Sequence, residues 1–171
     1  MQIDSRDTAG LVSPMHFEHL VDCSDLVHGV FSRAGGVSDP PFQSLNLGLN
    51  CGDSSDHVVE NRNRMLGALG LSSGIFLNQV HGTDIHVLKQ GMGLNDQIWD
   101  RKAGFTPSPV TADAAVTDIP DLALVIQVAD CQAVLLFDPE KQVIANVHSG
   151  WRGSVANILG RCVGTMVSEF D

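Results

Sequence analysis

The stretch that decides the fold is residues 129–153, which read ADCQAVLLFDPEKQVIANVHSGWRG. Two apolar segments, Ala133–Phe137 and Val143–Val147, flank the polar segment Asp138–Gln142. Short apolar segments on either side of a five-residue polar loop predict an antiparallel β-hairpin. The polar residues outside the two strands are then brought together at the open end of this hairpin.

The register of the hairpin places a thiol near an imidazole. Pairing that is symmetric about Glu140 sets Gln132 opposite His148, and Cys131 then comes close to His148. Strand ends are frequent positions for functional side chains. His81 follows the end of another predicted strand and precedes a turn glycine, so it is the natural candidate for a third member of the site.

Three interpretations of this group remain open from the residues alone. Cys131 can be a small buried hydrophobe that lies beside a histidine by coincidence. Cys131 and His148 can form a nucleophile pair in which the imidazole takes the thiol proton. The third interpretation is a metal site, because zinc binds histidine nitrogen and cysteine thiolate, and a catalytic zinc keeps three protein ligands and a water.

The rest of the chain predicts an α/β protein with both helices and strands. Leu122–Ala129 is a nearly continuous apolar run, which is typical of a strand covered on both faces. The other predicted elements are a helix from near Asp53 to Gly70, strands at Ile75–Val80 and Asp84–Leu88, and a single amphipathic helix after Gly153. Cys162 lies on the apolar face of that last helix and is expected to be buried.

Composition excludes several classes of function. The chain has 171 residues, which indicates one domain, and its formal net charge is −10. An acidic chain lacks the basic face that nucleic-acid binding requires, and it is repelled by anionic membranes. The longest apolar run, Leu122–Ala129, is too short to span a bilayer. Four cysteines without a Cys-x-x-Cys pair, and no secretion signal, predict reduced thiols in the cytoplasm.

Two arginines in glycine-rich loops are candidates for binding an anion. Arg33 and Arg152 each lie near glycines that allow a ligand to approach the backbone. Arg152 also lies at the predicted start of the last helix, where backbone N–H groups favour an anion. The alternative is that Arg152 pairs with Asp130 or Asp113 and only braces the loop. Trp151 is interpreted as an anchor for the start of that helix.

Five blocks of sequence resemble one known family. They resemble, in the family's order, the signature blocks of the laccase-domain, or polyphenol oxidase-like, family, whose members are understood as purine nucleoside phosphorylases with adenosine deaminase activity. The blocks are Phe31–Ser38, Ser44–Gly48, Asn78–Gly82, Ala129–Cys131 and His148–Gly153.

The resemblance implies a zinc ion held by His81, Cys131 and His148. It also implies a mixed α/β fold, with β-sheets flanked by helices, in a soluble single-domain enzyme over residues 1–171. This chain departs from the family pattern at Ser149, where alanine is usual, and has one residue fewer between Ser32 and Arg33. Relatives continue well past the last helix, so we expect a domain truncated at its C-terminal end.

The function implied by the resemblance is that of a zinc-dependent purine nucleoside phosphorylase. Its expected substrates are phosphate and a nucleoside such as inosine, adenosine or methylthioadenosine, and adenosine deamination is a second expected activity. Arg33 and Asn46 are assigned to substrate binding, Arg152 to holding phosphate, and Asp130 to proton transfer or to orienting Cys131.

Three other functions remain open at this point. One is a copper-dependent polyphenol oxidase, since two histidines and one cysteine also form a copper ligand set. Another is a metal-free Cys–His hydrolase. The third is a protein that binds zinc or a partner subunit without turnover. The sequence does not define an oligomeric state.

Overall fold

The computed structural model describes residues 12–93, 96–101 and 110–171. The chain divides into two compact units, Met1–Ser72 and Ser73–Asp171. The described residues contain four helices and two four-stranded sheets. The predicted mixed α/β class is therefore confirmed, while the boundaries 1–171 for one domain remain a prediction.

The first unit is organised by one long helix. It contains a short helix α1, Glu18–Val21, and the helix α2, Ser55–Ala68. The helix start predicted near Asp53 is within one residue of the observed N-cap, Ser54. Gly70 follows the helix with a φ of +73°, a backbone conformation that favours glycine.

Helix α2 fixes the loop that precedes it through one buried amide. The side chain of Asn61 is fully buried, and its Oδ1 accepts the backbone N–H of Val37 at 2.8 Å. Its Nδ2 donates to the carbonyl oxygens of Ser44 and Asn46 at 3.1 and 2.9 Å. The neighbouring Arg62 donates to a loop carbonyl, and burial lowers the pKa of its guanidinium to about 10. The loop is therefore held by buried polar bonds.

The described residues of the second unit form eight short strands and two helices. In chain order they are β1 Ser73–Asn78, β2 Ile85–Leu88, β3 Trp99–Asp100, β4 Val110–Thr111, β5 Ala114–Thr117, β6 Leu122–Val125, β7 Gln132–Asp138, β8 Val143–Ser149, α3 Trp151–Val155 and α4 Ile158–Phe170. In one sheet β1 pairs antiparallel with β3 and parallel with β4 and β6. The other sheet has the order β2-β5-β8-β7, with β2 parallel to β5 and the other pairs antiparallel.

Helix α4 packs on the second sheet through only part of its apolar surface. Ile158 and Cys162 are fully buried against β5 and β8, which confirms the expected burial of Cys162. A second row of apolar side chains on α3 and α4 is exposed, namely Val155, Leu159, Val163 and Val167. No helix among the described residues is long and apolar enough to cross a membrane.

The hairpin is present, but its predicted register is wrong by one residue. Ala133, not Gln132, lies opposite His148, and the loop has four residues, Pro139–Gln142. The side chain of Asp138 explains the difference, because its Oδ1 accepts the backbone N–H groups of the second and third residues of the turn/loop segment, Glu140 and Lys141, at 2.9 and 3.1 Å. Such an Asx turn closes the loop and makes Asp138 the last strand residue.

Two other predicted elements are shorter than expected. The strand predicted over Leu122–Ala129 ends at Val125, because the backbone of Gln127 is hydrogen-bonded to a side chain rather than to a strand. The single helix predicted after Gly153 is divided into α3 and α4. Asn157 lies between them with a φ of 57°, and its side chain caps the second helix by accepting from the backbone N–H of Gly160.

Candidate metal centre

Three side chains from separate segments converge in the second unit. His81 follows β1, Cys131 precedes β7, and His148 lies near the end of β8. One donor atom from each residue, imidazole nitrogen or thiol sulfur, lies within 4.8 Å of the others. The predicted convergence of these three residues is therefore confirmed, and their role as metal ligands remains a prediction.

The observed register explains why Cys131 and His148 meet. Side chains two residues apart on a strand point to the same face of a sheet. Because Ala133 is the partner of His148, Cys131 is diagonal to His148 on that same face. The register predicted from the sequence would have put these two side chains on opposite faces of the sheet. The observed register puts them on one face, as a shared site requires.

Asp113 is the buried residue on which both histidines depend. Its side chain is fully buried immediately before β5. Its Oδ1 lies 2.7 Å from Nδ1 of His148 and accepts the backbone N–H of His81 at 2.9 Å. Its Oδ2 accepts the N–H groups of Gly82 at 2.7 Å and of Val80 at 3.3 Å. One carboxylate therefore holds the loop that carries His81 and the ring of His148.

This environment keeps Asp113 ionised. Burial alone would raise the pKa of the Asp113 carboxyl. The hydrogen bonds from the His148 ring and from three backbone N–H groups outweigh burial and lower that pKa below its ordinary value. An ionised Asp113 accepts a hydrogen bond from Nδ1–H of His148, and in the neutral ring this tautomer leaves the lone pair of Nε2 available to a metal.

The backbone near the site approaches the side chains closely. His81 has a φ of 60°, and its ring lies edge-on to the ring of His148 with the centroids 4.8 Å apart. A Cβ placed on Gly150 would lie 2.8 Å from Cδ2 of His81 and 3.4 Å from Sγ of Cys131. Only glycine at position 150 leaves both side chains where they are.

A pair of glutamines joins the two loops that flank the site. The amide of Gln79 donates to the carbonyl of Gln127 at 2.8 Å and accepts its backbone N–H at 2.7 Å. Gln79 lies two residues before His81, and Gln127 lies four residues before Cys131. This double hydrogen bond fixes the loop carrying the histidine relative to the segment that leads to the cysteine.

The chemistry and spacing of the donor atoms are compatible with a bound metal ion, and zinc provides a test of the fit. Ligand bonds of about 2.0–2.3 Å in tetrahedral geometry place the ligand atoms about 3.3–3.8 Å apart. The three donor atoms already lie within 4.8 Å of one another, and Asp113 provides the carboxylate partner typical of a histidine that binds zinc. Three protein ligands would leave a fourth position for water or substrate.

The other two predicted residues of this unit, Asp130 and Arg152, are exposed. Asp130 is exposed, and its Oδ1 lies 3.9 Å from Sγ of Cys131. Arg152 is exposed, and its guanidinium stacks on the ring of Trp151 at 5.3 Å. Among the described residues, Arg152 forms an ion pair with neither Asp130 nor Asp113. The interpretation of Trp151 as an anchor is wrong, because 71% of this residue is exposed.

Arg33 and Asn46 lie in the first unit. Nε of Arg33 donates to the carbonyl of Gln43 at 2.6 Å, and the residue is exposed. The side-chain amide of Asn46 donates to Asp53 at 2.9 Å and accepts the N–H of Gly48 at 3.1 Å. These bonds give Asn46 a structural role in its own loop, and substrate binding by either residue remains a prediction.

The roles of Asp113, Gln79 and Gly150 were not predicted from the sequence. A signal existed for the first, since Asp113 interrupts the apolar run Ala112–Val116. Acidic side chains are almost never fully buried unless they are paired. The roles of Gln79 and Gly150 depend on contacts between distant segments, and no local pattern indicates them.

Comparisons with known proteins assign the family. A family model described as multi-copper polyphenol oxidoreductase laccase matches residues 27–171, and the chain belongs to this family. The resemblance stated from the five sequence blocks is thereby confirmed. That description names a copper oxidase, whereas the curated relatives carry a different name.

The curated relatives are named as purine nucleoside phosphorylases. The chain is 38% identical over 133 residues to purine nucleoside phosphorylase YfiH of Escherichia coli, which covers 77% of this chain and 49% of the relative. It is 41% identical over 143 residues to the purine nucleoside phosphorylase of Deinococcus radiodurans, covering 82% and 50%. The chain thus spans about half the length of the curated relatives it matches.

Solved structures give the same picture of the fold. The hypothetical protein YfiH of Bacillus licheniformis superposes with a TM-score of 0.67 at 30% identity, over 81% of this chain and 51% of the other. YlmD from Geobacillus stearothermophilus gives a TM-score of 0.66 at 32% identity, over 81% and 50%.

Proposed function

We propose that this chain carries the zinc centre of a purine nucleoside phosphorylase that also deaminates adenosine. The observation that carries the proposal is the convergence of His81, Cys131 and His148, with Asp113 behind both histidines, in a family whose curated relatives are named as such phosphorylases. The proposed ligands are Nε2 of His148, Sγ of Cys131 and a ring nitrogen of His81. When bound, zinc would supply a Lewis acid and an activated water for attack on the purine ring.

Phosphorolysis requires a cationic group that places phosphate against the sugar. Arg152 is proposed for this role because it is exposed and lies two residues after Gly150, where an added Cβ would meet His81 and Cys131. Stacking on Trp151 holds the guanidinium in place without neutralising its charge. On an acidic protein, such a local cation is the group that can compensate the charge of phosphate. Arg33 and Asn46 are proposed to contact the substrate.

Asp130 is proposed as the proton-transfer group. It is exposed, and its Oδ1 lies 3.9 Å from Sγ of Cys131, so a solvent-accessible carboxylate lies next to one proposed ligand. Deamination needs a proton delivered to the leaving ammonia, and a positioned carboxyl group can provide it. Loss of this carboxylate is expected to lower the turnover rate strongly and to lower the metal content less.

The second candidate function is that of a copper-dependent polyphenol oxidase. The description of the family model favours it, and a set of two histidines and one cysteine also binds copper. Multicopper reduction of dioxygen needs clustered His-x-His ligands, and the sequence contains no His-x-His pair. We therefore rank this function below the phosphorylase.

The test combines metal analysis with turnover. The purified chain is assayed with inosine and adenosine, with and without phosphate, next to a phenol oxidation assay. Bound zinc and phosphate-dependent release of the purine base support the proposal, whereas bound copper with phenol oxidation replaces it with the second candidate. Cys131→Ala is expected to abolish both metal binding and turnover. Cys23→Ser, which changes a thiol in the other unit, is the matched control and should change neither.

A further inference from the structure

The centre has its donor atoms grouped together by hydrogen bonds that do not involve a metal. The side chain of His81 contributes no hydrogen bond to this arrangement among the described residues. Its loop is instead fixed through the backbone, where the N–H groups of three successive residues from Val80 point at one carboxylate. The same carboxylate is hydrogen-bonded to Nδ1 of the His148 ring. The geometry of two candidate ligands therefore depends on one residue that is not itself within the ligand group.

We infer that Asp113 is a positioning residue that sets both the tautomer of His148 and the position of His81, and thereby the metal affinity of the centre. The inference rests on the proposed function only in that it takes the three converging residues as metal ligands. It does not depend on which reaction the enzyme catalyses.

The hydrogen bonds of Asp113 explain why an asparagine of the same shape cannot replace it. A carboxylate has only acceptor sites, and here both oxygens face donors: two on Oδ1 and two on Oδ2. An asparagine of the same shape must turn its NH₂ group toward one of these two sets. If the NH₂ group is turned toward Val80 and Gly82, it faces two other N–H donors and accepts no hydrogen bond from them. The backbone beside His81 then loses the bonds that hold it.

The opposite orientation of an asparagine damages the other ligand. An NH₂ group facing His148 can form a hydrogen bond only if Nδ1 of that ring accepts it. The neutral ring then carries its proton on Nε2, and a protonated nitrogen cannot bind a metal. Either orientation of the amide therefore removes one proposed ligand, although the size of the side chain is unchanged.

The experiment measures metal affinity directly. Zinc affinity is measured by competition with a chromophoric chelator, and cobalt(II) is titrated as a spectroscopic probe of the ligand field. For Asp113→Asn we expect about 10- to 100-fold weaker zinc binding and a changed cobalt spectrum, the range found when a carboxylate partner of a metal-binding histidine is lost. A variant that binds both ions as the wild type does would overturn the inference.

Asp118→Asn is the matched control. This residue lies just after the far end of the same strand, and its Oδ1 also accepts a backbone N–H, that of Gln90, at 3.0 Å. The substitution removes the same charge without contacting a candidate ligand, and we expect unchanged zinc affinity. An equal loss of affinity in both variants would mean that overall charge, not positioning, is responsible, and would contradict the inference.

A measurement on the wild-type chain covers the case in which Asp113→Asn does not fold. In metal-free protein, ¹⁵N-edited NMR of the His148 ring should show a proton on Nδ1, and a bare Nδ1 would refute the inference. The two proposals fail in different ways. A chain that binds zinc through this centre but lacks phosphorolysis sinks the proposed function and leaves Asp113 as the positioning residue. A wild-type chain without metal affinity sinks both.

Discussion

Replacing Gly150 by alanine should damage the metal centre while leaving the fold almost intact. The new Cβ would lie 2.8 Å from Cδ2 of His81, about 0.9 Å closer than carbon atoms pack at their optimal separation. The backbone of Gly150 has a φ of −69°, which alanine adopts without strain. The His81 ring makes no hydrogen bond among the described residues, so this ring is the group that moves.

The size of the effect follows from the tolerance of metal bonds. Ligand distances in protein metal sites hold to within about 0.2 Å, and a ring displaced by about 0.9 Å leaves the position of a ligand. We expect zinc affinity to fall by about 10- to 100-fold. Stability should fall by only about 1 kcal/mol, the usual effect of alanine at an N-cap.

The assay pairs chelator competition for zinc with urea unfolding of the metal-free chain. Gly164→Ala is the control, since a Cβ at that exposed position on α4 would meet nothing within 4 Å. That variant should gain up to about 1 kcal/mol from helix propensity and keep its zinc affinity. If Gly150→Ala binds zinc as tightly as the wild type, the steric reasoning about the centre is wrong.

Three further predictions concern other parts of the chain. Burial lowers the pKa of His28 in the folded chain, so the unfolded state binds more protons near pH 6. The contribution of His28 to the free energy of unfolding should therefore be fully present above about pH 6.5 and decrease toward pH 5. Urea unfolding at a series of pH values should show this dependence, and His28→Gln should flatten it. Burial raises the pKa of Cys162 to about 11, so mass spectrometry should find Cys162 unmodified after iodoacetamide treatment of the native chain. Cys131 should be modified under the same conditions, and added zinc should protect Cys131 from modification. Ile158→Ala should lower the free energy of unfolding by about 2–4 kcal/mol because Ile158 is fully buried. Val155 is 83% exposed, so Val155→Ala should change the free energy of unfolding by no more than about 0.5 kcal/mol. Equal losses in the two variants would contradict the packing described for α4.

Much of the candidate centre could be predicted because its proposed ligands lie at or near the ends of strands. The apolar segments of the hairpin and the polar segment between them were sufficient to bring the backbone positions of Cys131 and His148 to the same end of the hairpin, but not to place their side chains on the same face. The register was not, since it depends on whether Asp138 belongs to the strand or to the loop. That choice is made by two side-chain hydrogen bonds to backbone N–H groups, which hydrophobic periodicity does not report.

The final helix shows a different limit of sequence patterns. Its apolar residues repeat at helical spacing from Val155 to Phe170, and this pattern predicted one continuous helix. Periodicity records which residues are apolar but not whether the backbone is continuous between them. The left-handed conformation of Asn157 divides the pattern into α3 and α4. Periodicity also does not report burial, since Val163 is exposed although it fits the same helical pattern as the buried Cys162.

The wide separation of His81, Cys131 and His148 along the chain makes metal binding a thermodynamic partner of folding. The three donors lie together only in the native state, so an unfolded chain has no comparable site. A ligand that binds only the native state stabilises it by about 2.7 kcal/mol when its free concentration is 100 times its Kd. The measured Tm of this chain should therefore depend on free zinc in the buffer, and a chelator should lower it.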